Sequence, residues 1–380
     1  MKICAKTLAG CTAIILLALG CEAPQTRETA PVQTAPVAVT SNVLDPAAEL
    51  AELGKLELKI VWRQNLGQIV EGKAVREAYV AGDILALETL DSSLFYFNAA
   101  SGVWKSSTRL KSPLTVPPAA SGKTLYAVTG RGLLVIDTET GFVQRQLPTR
   151  MPVVCQPVLY GESLILGGGN GKVARFDPVN GQFAWMESAS TSISGSPAVA
   201  GGIILAAGHK GRVMAVAAEF GKEIWNWHPN SPAYLTSGVE TGGDKVYVGD
   251  NRGFVYALTV SEGVPVWKYP TGGPVSLTPA LIGTKLLVFT YKGDALCLDI
   301  GEEVKAVWKS ADAERLIAAG KKHVYVLTRD RALARISLET GEESWRVPLC
   351  KSCAIASVPS QAMIYLYDSQ GHIVALTELD

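Results

Sequence analysis

Short apolar runs alternate with glycine-centred turns along most of the chain. One unit shows the pattern: Lys245-Val246-Tyr247-Val248-Gly249, a turn at Asp250-Asn251-Arg252-Gly253, then Phe254-Val255-Tyr256-Ala257-Leu258. A second turn ends on Gly263 and leads into Val264-Pro265-Val266-Trp267. Apolar runs this short, bounded by Gly and Asp, predict strands. The second-turn glycines are Gly102, Gly141, Gly181, Gly221, Gly263, Gly301 and Gly341, spaced 39, 40, 40, 42, 38 and 40 residues apart. Three or four strands per unit at that period predict propeller blades, not a helical solenoid.

The middle strands are nearly all apolar, as in Leu133-Leu134-Val135-Ile136, which fits strands covered on both faces by neighbouring blades. They fall near residues 94–97, 133–136, 172–176, 212–216, 254–258, 294–298, 332–336 and 372–376, which makes eight. The eighth reaches the C-terminus without an outer strand, while Leu58-Lys59-Ile60-Val61-Trp62-Arg63 is an orphan strand at the start. Joining the two leaves no blade unpaired. Residues 57–380 hold 324 positions, 40.5 for each of eight units. The expectation is all-β: one eight-bladed propeller of four-stranded antiparallel blades, closed by the N-terminal strand.

Four residues after the second-turn glycine stands Trp185, Trp225, Trp267 or Trp345; Trp308 comes later in its copy, and Arg145 takes the place after Gly141. A flat ring at a fixed spot in each outer strand suits docking between blades.

Residues before 57 read differently. Lys2 and Lys6 precede an apolar stretch from Thr7 to Leu19, too short for a membrane span. It ends in Leu17-Ala18-Leu19-Gly20-Cys21, which resembles a bacterial lipoprotein signal with acylation of Cys21. Residues 21–56 are expected to form a Pro/Ala/Thr-rich tether. The reading is a signal at 1–20, a lipidated tether at 21–56 and a propeller at 57–380, facing the periplasm, with the outer membrane favoured.

Composition excludes other classes. Lys plus Arg and Asp plus Glu each total 35, so a strongly basic nucleic-acid binder is ruled out. Hydrophobic residues make up 48%, which rules out a wholly disordered chain.

The run Ser337-Leu338-Glu339-Thr340-Gly341-Glu342-Glu343-Ser344-Trp345 resembles the tryptophan-docking repeat of quinoprotein-like β-propellers. The resemblance covers about residues 57–380 and implies one of two branches. Pyrroloquinoline-quinone alcohol dehydrogenases hold the quinone on a tryptophan floor, cap it with a disulfide between adjacent cysteines, and use Ca²⁺ with an Asp base. This chain has no Cys-Cys pair and none of their long insertions. The lipid signal, tether and length instead resemble the propeller lipoprotein of the outer-membrane β-barrel assembly machinery. That branch implies a scaffold without catalysis, cofactor or metal, monomeric and engaged with an envelope protein. Its partner contacts use Leu and Arg in one inter-blade loop and paired Asp in the next. The corresponding stretches here, Thr191–Gly195 and Pro232–Thr236, do not preserve that chemistry. A small-ligand sensor using the central channel is the alternative.

Candidate groups are few. Cys350-Lys351-Ser352-Cys353 is expected to form a local disulfide in an exported protein; haem attachment would need His where Ala354 stands. The four histidines form no spaced set and are expected on solvated surface. In an antiparallel blade, the first turns and inter-blade loops share one face of the ring, and the second turns and inner hairpins share the other. The second-turn face collects acids, among them Glu302, Glu303, Glu342 and Glu343. The loop face collects cations. Arg109, Lys111, Arg150, Lys210 and Arg252, with Tyr234, are the candidate surface for an anionic partner, a periplasmic protein domain ahead of lipid headgroups.

Overall fold

A computed structural model describes residues 44–46, 56–67, 73–230, 232–358 and 362–378. The signal, Cys21 and most of the tether fall outside them.

The described residues form thirty-two strands in eight four-stranded antiparallel sheets, with no α-helix among them. Blades 1 to 7 span 75–109, 119–147, 158–188, 198–227, 240–270, 280–310 and 313–348, each running from the central channel outward in chain order. Blade 8 takes its three inner strands from 353–378, and its outermost strand is Leu58–Asn65, paired antiparallel with His372–Glu378. The ring is closed as the orphan strand predicts, and that strand lies at the outer edge of its blade.

Burial explains the apolar middle strands. Eight hydrophobic clusters each lie between two neighbouring blades, one for every junction of the ring. Alternate residues of one strand serve alternate junctions. Leu133 packs toward blade 3, whereas Leu134 and Ile136 pack toward blade 1. The period of two thus welds each sheet to both neighbours.

The docking tryptophans lock the junctions. Trp62, Trp185, Trp225 and Trp308 each cover a second-turn glycine of the next blade (Gly102, Gly221, Gly263 and Gly341), where an added Cβ would strike the ring. Those glycines hold φ near 70°, the left-handed region the turn requires. Each indole N–H donates to a carbonyl one blade on: Trp62 to Ala99 at 2.9 Å, Trp185 to Ala218 at 2.8 Å, Trp225 to Val260 at 2.8 Å and Trp308 to Leu338 at 2.9 Å. Trp345 donates to Leu56 at 3.0 Å and so ties blade 7 to the start of the closing strand. Trp267 departs from the pattern: it is half-buried without such a bond, and the Gly301 turn beyond it lacks the positive φ. Ser106 replaces the ring in blade 1, its hydroxyl donating to the Thr138 carbonyl at 2.7 Å.

One stretch inside the segment read as tether belongs to the body. Leu44 N–H donates to the Pro348 carbonyl at 2.8 Å, and its own carbonyl accepts from Cys350 N–H at 3.1 Å. Leu44 is 2% exposed and packs with Leu56, Leu58 and Cys353 between blades 7 and 8.

Candidate interaction face

Isolated bridges place the inter-blade loops beside the first turns, as the antiparallel order requires. Val153 pairs with Gly168, Ile193 with Gly208, Leu235 with Asp250 and Val275 with Thr290. These contacts pin the loops onto the scaffold.

One recess on this face lies between blades 4 and 5. A cavity of about 450 Å³ is lined by Lys210, Gly211, His228, Pro229, Asn230, Pro232, Ala233 and Tyr234, with no carboxylate. The buried Leu235 anchors the loop, and Tyr234 bonds twice to Asn251: its N–H donates to the Asn251 Oδ1 at 2.9 Å, and its carbonyl accepts the Asn251 N–H at 2.9 Å. Asp250 holds the opposing turn by accepting from Arg252 N–H, Phe254 N–H and Tyr256 Oη. On that base Tyr234 stays 51% exposed, its ring stacked on His209 with centroids 5.2 Å apart. Arg252 closes one side by donating to the Pro232 carbonyl at 3.4 Å. The result is a fixed aromatic surface among cations, the composition enriched at interface hot spots.

Of the candidate residues, Lys210, Tyr234 and Arg252 therefore meet in one place. Arg109, Lys111 and Arg150 are exposed but sit on other blades; Arg109 lines a separate cavity of about 350 Å³ with Lys73, Phe95 and Trp104. Some loop-face cations are already engaged. Arg212 pairs with Glu223 and donates to the Ser188 carbonyl, and Arg331 donates to the Cys353 carbonyl at 2.7 Å. Glu343, counted with the opposite face, is held by Arg346 at 2.8 Å. The acids of that face serve the turns, as Asp137 does by accepting from Glu139 N–H and Thr140 N–H.

His209 and His228 are exposed as expected, the first stacked on Tyr234 and the second lining the recess. His323 and His372 are half-buried instead, because each meets a carboxylate at 2.7 Å, Glu378 and Asp368. His209 and His228 are part of the recess because the fold brings two loops together, which no spacing in the sequence signals.

Cys350 and Cys353 are joined in a disulfide beside Leu44 and Asp45. The bridge stiffens the loop that holds the N-terminal arm. Burial pushes the thiols of Cys155 and Cys297 up, to about 11 and about 12, so neither is a nucleophile at neutral pH.

Comparison with known proteins follows the fold. A family profile described as outer membrane protein assembly factor BamB matches residues 47–269, 211–316 and 305–380. BamB of Escherichia coli K12 is 33% identical over 98 residues, which cover 21% of this chain and 25% of that relative. The matched stretch thus spans about a quarter of that relative's length. BamB of Bordetella pertussis is 20% identical over 305 residues, 74% of this chain and 70% of that one. Among solved structures, BamB from Moraxella catarrhalis superposes with a TM-score of 0.53 at 17% identity, covering 79% of this chain and 81% of that one. The quinohemoprotein alcohol dehydrogenase of Comamonas testosteroni gives 0.62 at 11% identity, covering 89% of this chain and 78% of its own. At those identities the structural likeness speaks for the propeller alone. The profile match runs nearly the full length of the propeller, and on it the chain belongs to the BamB family of PQQ-repeat β-propellers.

Proposed function

We propose that this protein is a non-catalytic, periplasm-facing scaffold, lipid-tethered through Cys21, whose loop face docks an envelope protein during outer-membrane protein assembly. The observation that carries the reading is the recess between blades 4 and 5, where a pinned, exposed Tyr234 stands among Lys210, Arg252, His209 and His228 with no lining carboxylate. Such a surface favours an anionic partner and makes its association sensitive to salt. The family supports the assembly role, because relatives carry that description.

The dehydrogenase reading has the shared fold in its favour and little chemistry. The chain has no adjacent cysteines; its disulfide joins Cys350 and Cys353 in the loop between blades 7 and 8. The one group of three metal-ligating side chains among the described residues is that disulfide with Asp45, and bonded sulfurs are poor ligands.

The test is a pull-down from envelope extract with the full chain. Lys210→Glu, Arg252→Glu and Tyr234→Ala together should lose the partner, and reversal of Glu302, Glu303 and Glu342 should not. Loss only with the acidic set would refute the face. Absorbance and mass spectrometry of the purified protein check the non-catalytic reading, which a stoichiometric quinone would overturn. Cys21→Ser should move the protein from membranes to the soluble fraction.

A further inference from the structure

Connections between blades are uneven. They run over residues 110–118, 148–157, 189–197, 228–239 and 271–279 among blades 1 to 6, nine to twelve residues each. Blade 6 passes to blade 7 through Ala311 and Asp312 alone. In the longer connections an apolar residue (Leu114, Val153, Ile193, Leu235 or Val275) bridges to the next blade. In blade 7 the innermost strand Ala313–Ala319 takes over that pairing and sets the small Ala313 opposite Thr328. Two residues precede Ala313 where four precede Leu114 and Val275, so the loop above the junction of blades 6 and 7 is two residues shorter and its pairing residue smaller.

A notch of about 450 Å³ opens there, lined by Ser276, Leu277, Thr290, Tyr291, Gly293, Glu314, Arg315 and Arg329. Leu277 is 40% exposed and Tyr291 65% exposed. The Arg329 guanidinium fills the space where a side chain at position 293 would begin, so glycine there lets it lie against the turn. Its Nη2 donates to the Tyr291 carbonyl at 3.1 Å, which fixes the fork and leaves other N–H groups free. Nearby acids are already taken: Asp294 by Lys309 at 2.9 Å, and Asp312 and Asp330 by Arg346 at 2.7 and 3.7 Å. Among the described residues no carboxylate pairs with Arg315 or Arg329. The notch holds two guanidiniums against the single carboxylate of Glu314, beside two uncovered apolar side chains.

We propose that this notch binds an acidic peptide segment, with a carboxylate side chain taken by Arg315 and Arg329 and a neighbouring bulky apolar side chain lying on Leu277 and Tyr291. Arginine forks suit carboxylates, and an exposed aromatic beside them supplies apolar area at low entropic cost. A peptide segment is the occupant because the notch sets two arginines with no paired carboxylate beside the exposed Leu277 and Tyr291, and one short chain can offer both an acidic and an apolar side chain. This site stands apart from the recess on blades 4 and 5, so either can fail without the other.

The experiment titrates the full mature chain into a fluorescein-labelled, amide-capped peptide, Gly-Asp-Phe-Asp-Leu-Gly, and reads fluorescence anisotropy. A saturable rise is expected, weakened by added salt. Arg315→Ala, Arg329→Ala and Leu277→Asp should each weaken binding about tenfold, the scale of one charge-assisted contact or one lost apolar contact. Lys321→Ala, in an inner hairpin on the opposite face, should leave it unchanged. The same peptide with Asn for both Asp residues tests the carboxylate on the unaltered protein. No saturable binding, equal binding of the Asn peptide, or unchanged affinity in both arginine variants would overturn the proposal. Competition by free succinate as strong as by the unlabelled peptide would also overturn it, in favour of a small-dicarboxylate site.

Discussion

Replacing Arg335 with methionine should loosen the closure of the ring. Arg335 sits in the third strand of blade 7, 4% exposed, and pairs with Glu57, just ahead of the closing strand, and with Glu378, at the end of the last one. One buried cation thus holds both ends of the propeller chain. The Glu57 side chain is 59% exposed, so solvent screens its share to about 1 kcal/mol or less. Glu378 is 19% exposed and, without the guanidinium, would keep His323 Nδ1 at 2.7 Å. Removing one partner of a buried pair costs about 3–5 kcal/mol, because the other charge stays desolvated. The partial exposure of Glu378 argues for the lower end, about 3 kcal/mol. At roughly 2 °C per kcal/mol for a body of this size, the melting temperature should fall by about 6 °C.

Hydrogen exchange locates the effect. Amides of Leu58–Asn65 and His372–Glu378 should exchange faster in Arg335→Met, while those of blades 3 to 5 keep their protection, because local opening need not involve the whole ring. Adding Glu378→Gln should restore part of the loss by removing the stranded charge, whereas Glu57→Gln alone should change little. A single Arg335→Met variant as stable as the parent would refute the reasoning, and so would Glu57→Gln costing as much as Glu378→Gln.

Three further outcomes follow from the same geometry. Deleting residues 1–65 leaves the edge of His372–Glu378 unpaired, so the shortened chain should oligomerise or melt earlier; a monomer of unchanged melting temperature by size exclusion and calorimetry contradicts the latch. Trp225→Ala loses the bond to the Val260 carbonyl and opens a void over Gly263, for about 3–5 kcal/mol, while Trp267→Ala, without that bond, should cost less in the same denaturation assay. Asp91 accepts from Thr89 Oγ1 at 2.6 Å, which with the Ser93 bonds and Lys73 holds its carboxyl down to about 2. Its contribution is complete above the ordinary carboxylate range and is lost as pH falls toward about 2, so Asp91→Asn should flatten the acid limb of the stability curve.

The blade count and closure were legible because they rest on local chemistry that repeats. The second-turn glycine holds its positive φ in every copy but that of Gly301, and a tryptophan four residues on docks on the next blade from blades 3, 4 and 7. Trp62 in the orphan strand announced its place by carrying the same residue as the other outer strands. What stayed hidden depends on partners far apart in the chain. Glu57, His323, Arg335 and Glu378 form one cluster although they lie in four separate segments, and none stands out within its own. Leu44 follows a proline-rich stretch whose composition argues against burial, yet it fills a junction that only the closed ring creates. The face assignment was legible as charge and illegible as availability: Arg212 is engaged by Glu223 and the Ser188 carbonyl, and a charge tally cannot show this.

Two recesses of the loop face lie at inter-blade connections that depart from the usual nine or ten residues, as the four-residue connection between blades 7 and 8 also does. Twelve residues between blades 4 and 5 raise the loop that carries Tyr234, and two residues between blades 6 and 7 leave the notch of Arg315 and Arg329. The twelve-residue copy buries Leu235 against the next blade as the regular copies bury theirs, and its extra length carries Tyr234 above that anchor. A repeat scaffold can vary these connections freely because the junction cores and docking tryptophans hold the ring without them. The two proposed binding sites thus sit at connections of unusual length, while the residues that make the chain a propeller are silent on what it binds.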